Sequence, residues 1–210
     1  MRTVLIFFLY VASGEVAFSQ QFEIGPWRLG MNVTEVTSFE EYGPYVPVES
    51  TGGVETANGV FEGNARHVSF VFENSALSYI QVWNYEGSDS EVAIARVLET
   101  FDLFEERFGG AELPGIDVSG DQGLDRGAME ALLGRILGTA QELAEQTRRE
   151  QNANIVVLFD MKPLEQPEAS RLHALWGYSG GLNTFYVFLF QDRLDAPERG
   201  VPANVSLEPL

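Results

Sequence analysis

The chain contains no cysteine, a single lysine (Lys162) and two histidines, His67 and His173. Each scarcity removes some chemistry. Without cysteine there is no disulfide, no thiolate nucleophile and no lipid-modified cysteine, so a buried core must hold the fold. With two imidazoles, few side chains can titrate near neutral pH. Positive charge is scarce as well: 13 Lys and Arg face 31 Asp and Glu, a formal net charge of −18. A field of that sign repels nucleic-acid phosphates and anionic headgroups, and no basic cluster exists beyond Arg148-Arg149, so nucleic-acid binding is excluded. The acidity reads as a device for solubility. Long apolar runs are missing too. The apolar run Val4–Ala12 is far shorter than the roughly 20 residues that span a bilayer, so no integral membrane association is expected. Neither a Gly-x-Ser-x-Gly elbow, a His-Glu-x-x-His pair nor a glycine-rich phosphate loop occurs, and no cofactor is expected.

What is present starts at the N-terminus. Arg2 precedes the apolar run, and small and polar residues then lead to Ala17-Phe18-Ser19. This is the layout of a secretory signal peptide, residues 1–19, with cleavage expected after Ser19. The remaining length, about 190 residues, can bury a core without staples. Export of a cysteine-free chain fits a periplasmic or secreted location.

Hydrophobic periodicity divides the rest into an N-terminal α/β half (20–110), an acidic connector (111–125), a C-terminal α/β half (126–192) and an irregular tail (193–210). Asn32 with Glu35 forms a capping box for a helix over 33–42, stopped by Gly43-Pro44. Residues 44–59 read as a loop with a short strand near Tyr45–Val48. Strands follow near 60–62, 67–73 and 77–86, the last two forming a hairpin. Ser88 and Glu91 open a long helix that Gly109-Gly110 ends. A second long helix runs over 126–150, with small residues thinning one side. Strands are expected over 154–160, 171–178 and 183–191. Each half thus contains a helix and about three strands ending in an aromatic hairpin. The fold class expected is α+β, with mainly antiparallel sheet, two long helices packed on it, and two topologically similar halves.

The aromatic residues pose the central question. Strict alternation puts Tyr79, Trp83 and Tyr85 on one side of the 77–86 strand, away from Ile80 and Val82. Burying such a side chain is worth about 1.5–3 kcal/mol, so the long helices or the other hairpin are expected to cover them. The competing expectation is a ligand groove built from Tyr79, Trp83 and Tyr85 with His67 and His173.

Two constellations carry weaker chemistry. His67, His173, Glu73 and Asp160 would suit a metal or acid–base cleft if the halves brought them together. Asp117, Ser119, Asp121 and Asp125 space oxygen ligands like a calcium loop. Gln122 and Ala128 break the EF-hand pattern, and the preferred reading is a connector in which Asp125 caps the next helix. The stretch Trp27–Val36 resembles the leucine-glycine-methionine openings of small exported α/β lipoproteins of outer-membrane assembly. The resemblance covers ten residues, without those proteins' lipid-bearing cysteine, and implies no function.

The chain is therefore expected to be an exported soluble protein, a non-catalytic binding or structural module whose partner is a protein or a small ligand. The alternatives are an extracytoplasmic hydrolase using a metal or carboxylates between the halves, or an exported enzyme inhibitor projecting loop 44–59 or 111–125.

Overall fold

A computed structural model describes residues 24–114, 124–150, 156–165 and 170–191. The expected signal peptide, the tail 193–210, and Asp117, Ser119 and Asp121 of the calcium-like loop lie outside these residues.

Among the described residues, eight strands form one sheet: β1 (Val46–Val48), β2 (Gly53–Phe61), β3 (Asn64–Glu73), β4 (Ala76–Gly87), β5 (Ala111–Glu112), β6 (Val156–Pro163), β7 (Ser170–Ser179) and β8 (Leu182–Gln191). Their order is β1-β2-β3-β4-β8-β7-β6-β5, and every neighbouring pair is antiparallel. The helices are α1 (Val33–Thr37), α2 (Ser90–Phe108) and α3 (Arg126–Glu150). The fold is α+β, as the alternation of hairpins and helices predicts.

The strand order has an approximate twofold symmetry. Strands β1–β4 step inward from one edge, β5–β8 step inward from the other, and the two sets meet where β4 pairs with β8. The aromatic hairpin β3–β4 and the second hairpin β7–β8 therefore lie side by side in one sheet and do not stack face to face.

Both long helices cover the same face. One core cluster joins Val97, Phe101 and Phe104 of α2 and Met129, Leu133 and Leu137 of α3 to Phe70, Val82, Trp176 and Val187 of the strands. The buried positions of α3, Met129, Leu133, Leu137 and Ala140, recur at three and four residues, which keeps one stripe against α2 and the sheet. Among the described residues no second backbone approaches the thinned side of α3 at Gly134 or Gly138, where a Cβ would meet nothing within 4 Å. Toward the β2–β3 end the same face is closed by Ile24, Trp27 and Val36, with Trp27 packed 4.7 Å from Phe70. The Leu29-Gly30-Met31 segment is tied down there, since Gly30 and Met31 exchange backbone hydrogen bonds with Leu77 at 2.8 and 2.6 Å.

The capping chemistry accounts for most boundaries. Asn32 Oδ1 accepts from the Glu35 amide at 3.1 Å while Glu35 accepts from the Asn32 amide at 2.7 Å, completing the box. Asp125 Oδ1 accepts from the Ala128 amide at 2.7 Å at the start of α3. Gly109 ends α2 with φ +74°, a left-handed turn that glycine adopts without steric cost.

Three boundaries differ from the sequence reading. The helix expected over 33–42 stops at Thr37, and a single 3₁₀ turn follows at 40–42. Ser38 Oγ donates to the Glu35 carbonyl at 2.7 Å, drawing on a backbone acceptor near that end. Asp89, not Ser88, caps α2, accepting from the Glu91 and Val92 amides at 3.0 and 3.2 Å. The loop expected over 44–59 contains most of β2. Gly53 and Gly59 mislead because they sit within the strand: a Cβ at Gly53 would lie 2.0 Å from the Phe70 carbonyl oxygen, and one at Gly59 2.3 Å from Val68 Cγ2. Glycine there marks close approach between strands, not a turn.

Candidate functional site

The face of the sheet opposite the helices carries the aromatic residues in question. Its buried members, Leu175, Tyr186 and Phe188, form a second, separate cluster against which Tyr79, Trp83 and Phe190 pack. No helix contributes a residue to it among the described residues.

Tyr85 does not belong to this group, which corrects the expectation of one continuous row on β4. Trp83 pairs with Tyr186, but Tyr85 pairs with Phe185, so Asn84 is an extra residue on β4. Because side chains alternate with period two, one inserted residue moves everything beyond it to the other face. Asn84 is buried and turned toward α2, its Nδ2 donating to Thr100 Oγ1 at 3.3 Å. Tyr85 is left on the helix side, where its hydroxyl donates to the Asp89 carbonyl at 2.9 Å and accepts from the Asp89 amide at 3.1 Å.

The helix-free face reads as rows across the strands. Register places His67, Trp83, Tyr186, Leu175 and Asp160 in one row. The next row holds Glu55, Ser69, Gln81, Phe188 and His173, and a third holds Val71, Tyr79, Phe190 and Arg171. The Trp83 ring meets Tyr186 edge-on at 5.2 Å and stacks with His67 at 5.1 Å. Tyr79 packs on Phe188 at 5.5 Å, and Phe190 lies edge-on to His173 at 5.0 Å.

Each histidine has a carboxylate beside it. His67 Nε2 lies 3.2 Å from Glu55 Oε2, although not in line for a hydrogen bond. His173 Nδ1 lies 3.5 Å from Asp160 Oδ2. A twofold through the Val82–Val187 pair carries β3 onto β7 and β2 onto β6. In the observed register it carries His67 onto His173 and Glu55 onto Asp160. The aromatic strip is thus flanked by two equivalent His–carboxylate pairs. Three strand spacings separate the two histidines, a distance on the order of 14 Å. Glu73 stands at the far end of β3 against Ala76, away from both. The four residues considered for a metal or acid–base cleft accordingly do not share a centre. Among the described residues no group of three potential ligands could hold a metal ion. Asp125, the described member of the calcium-like loop, is engaged in capping α3.

Polar atoms on this face are enclosed without partners. Trp83 Nε1, His67 Nε2 and Asp160 Oδ1 are each buried and make no hydrogen bond. Burial pushes the Tyr79 phenol far above its ordinary value, with the nearby Tyr186 adding to the shift. Tyr186 is also raised, first by burial and then by Glu86, against a hydrogen bond with Thr184 that lowers it.

Glu55, Leu175, Tyr186, Phe188 and Phe190 complete the site but were not singled out from the sequence. A period-two reading of the last strand would have put Tyr186, Phe188 and Phe190 on one face. Their apposition with Trp83 and Tyr79 depends on β8 pairing with β4, a contact between positions about a hundred residues apart. No family model matches the chain, and neither a curated protein nor a solved structure matches it.

Proposed function

We propose that the protein is a non-catalytic binding module acting outside the cytoplasm, and that it binds through the helix-free face of the sheet. The ligand class is a molecule or segment with a flat apolar body and a hydrogen-bond acceptor. The observation that carries this reading is the unpartnered Trp83 Nε1 set in an aromatic strip. The Nε1 is enclosed, so a ligand acceptor reaches it only by moving aside the side chains that cover it, and the bond then formed offsets a cost of about 1–3 kcal/mol. Tyr and Trp concentrate binding energy where they meet a partner, because they offer large area with little rotamer entropy to lose. The two His–carboxylate pairs lie three strands apart, so they do not form the shared metal or acid–base cleft that the hydrolase alternative requires.

Nile red, a flat neutral dye with a carbonyl acceptor, is a suitable probe. The protein is expected to bind it saturably, with Trp emission quenched, and the Tyr79→Ala/Trp83→Ala double variant to lose that binding while keeping its circular dichroism. Leu143→Ser, on the exposed side of α3, serves as the control and should bind as the parent does. A parent protein with no saturable binding, or a double variant that binds equally well, would remove the proposal. For location, the mass of the protein recovered from an exporting host is expected to match a chain beginning at Gln20.

A further inference from the structure

A second feature lies apart from the aromatic face and shares no residue with it. Between the β2–β3 hairpin and α2 is an open cavity of about 250 Å³. Arg66 and Asn84 of the strands form one wall, and Glu99, Asp102 and Glu106 line the other from α2. The three acids follow helical spacing, so they share a side of α2. Glu62, in the hairpin turn, completes the charged rim.

Four carboxylates and one guanidinium line this space, yet the guanidinium takes none of them. Glu62 is held by Arg107 at 2.9 Å, Glu99 by Arg96 at 2.7 Å, and Asp102 by Arg126. Arg66 instead donates from Nε to Asn84 Oδ1 and from Nη1 to the Ala65 carbonyl, both at 2.9 Å and both neutral acceptors. Asn84 is itself fixed by Thr100, whose hydroxyl donates to the Arg96 carbonyl at 3.1 Å, so the guanidinium is oriented by a chain of bonds reaching into α2. Burial, and then the like charge of Arg96, lowers the Arg66 pKa, with Glu99 opposing. Among the described residues two charges of the cavity stay unmatched, Arg66 on one wall and Glu106 on the other.

We infer that this cavity binds a small zwitterion, its carboxylate on the Arg66 guanidinium and its ammonium on Glu106. A planar guanidinium held at Nε and by one Nη1 hydrogen keeps three N–H groups on Nη1 and Nη2, in the plane where a carboxylate is recognised. An oppositely charged end is required because neighbouring acids would repel a simple anion. The volume limits the ligand to a few heavy atoms beyond its charged ends, since pockets for drug-sized molecules begin at about 300 Å³.

Calorimetric titration of the full chain with glycine, β-alanine, 4-aminobutanoate and 5-aminopentanoate tests the inference and brackets the separation of the two charges. Acetate and ethylammonium are the single-charge controls. At least one zwitterion is expected to bind saturably, about tenfold or more tighter than either control. Glu106→Gln should weaken that binding by about tenfold, and Arg66→Lys, which keeps the charge but loses the fork, by a similar factor. Glu106 is exposed, so its variant decides the matter should Arg66→Lys fail to fold. Absence of saturable binding by all four zwitterions, equal binding of a control, or unchanged binding by Glu106→Gln would each overturn it. None of these outcomes bears on the Nile red experiment, which reads the opposite face.

Discussion

The two faces of the sheet are built from the same strands, yet their interiors differ in kind. On the helix side, aliphatic and aromatic residues from the N-terminal segment, α2, α3 and the strands interlock in one core, and Trp176, Phe70 and Phe101 are among its fully buried side chains. Among the described residues, no buried side-chain polar atom on that side lacks a hydrogen bond. Trp176 Nε1 donates to Asn183 Oδ1 at 3.2 Å, and Asn183 in turn donates to the Gly87 carbonyl and Ser90 Oγ. On the other side, three buried and three half-buried residues form a strip whose tryptophan has no acceptor. Apolar area alone does not separate the two faces; the completeness of hydrogen bonding does. Proteins leave few buried donors unpaired, and the unmatched ones therefore point to function.

The sharpest way to break this comparison is to truncate the two tryptophans. Trp176→Ala should cost about 4 kcal/mol in urea denaturation, through a cavity and the loss of the Asn183 partner. Trp83→Ala should cost about 1–2 kcal/mol, since its ring is half-buried and its donor makes no bond to lose. Equal costs would mean that the second face is core in the same sense as the first.

Next in size is Gly53→Ala in β2, where the new Cβ would meet the Phe70 carbonyl oxygen. Overpacking against backbone should destabilise by about 2 kcal/mol, read as a lower urea midpoint with unchanged slope.

A third test titrates the helix-free face. The Tyr79 pKa is raised in the folded protein above the unfolded value of 10.0. The folded state therefore retains a proton that the unfolded chain releases. The contribution is fully present below pH 10 and declines as the pH rises beyond it, by at most about 1.4 kcal/mol per unit for one group. Tyr79→Phe should flatten that decline in denaturation curves measured between pH 9 and 11. An unchanged slope would mean that the Tyr79 phenol is hydrated.

The smallest effect has the opposite sign. Gly134→Ala and Gly138→Ala place a methyl in open space on α3 and remove backbone entropy from the unfolded chain, so each should stabilise by about 0.5–1 kcal/mol. A loss of stability in either would indicate that something packs against that side in solution.

Much of the architecture could be read before the structure was known. The stripes of α2 and α3, the caps at Asn32 and Asp125, the stop at Gly109 and the β3–β4 hairpin all follow from local periodicity and end chemistry. Two features resisted. Gly53 and Gly59 resemble turn residues until Phe70 and Val68 are seen pressed against them. Tyr85 belongs with Tyr79 and Trp83 by simple alternation, and only the inserted Asn84, drawn toward Thr100 of α2, moves it to the other face. The candidate site was partly legible: His67, Trp83 and Tyr79 share a face, whereas Glu55, Asp160 and the β8 aromatics join them through strand pairings distant in sequence.

The sequence by itself determined the two long helices, the β3–β4 and β7–β8 hairpins, the α+β class and the acidic character, because these arise from residues within a few positions of one another or from simple counts. The tertiary structure alone decided which face holds the helices, where the Asn84 bulge divides the aromatics, and that Arg66 meets four carboxylates without pairing to any. Those outcomes depend on contacts between distant segments, whose geometry is set by the packing of the whole sheet.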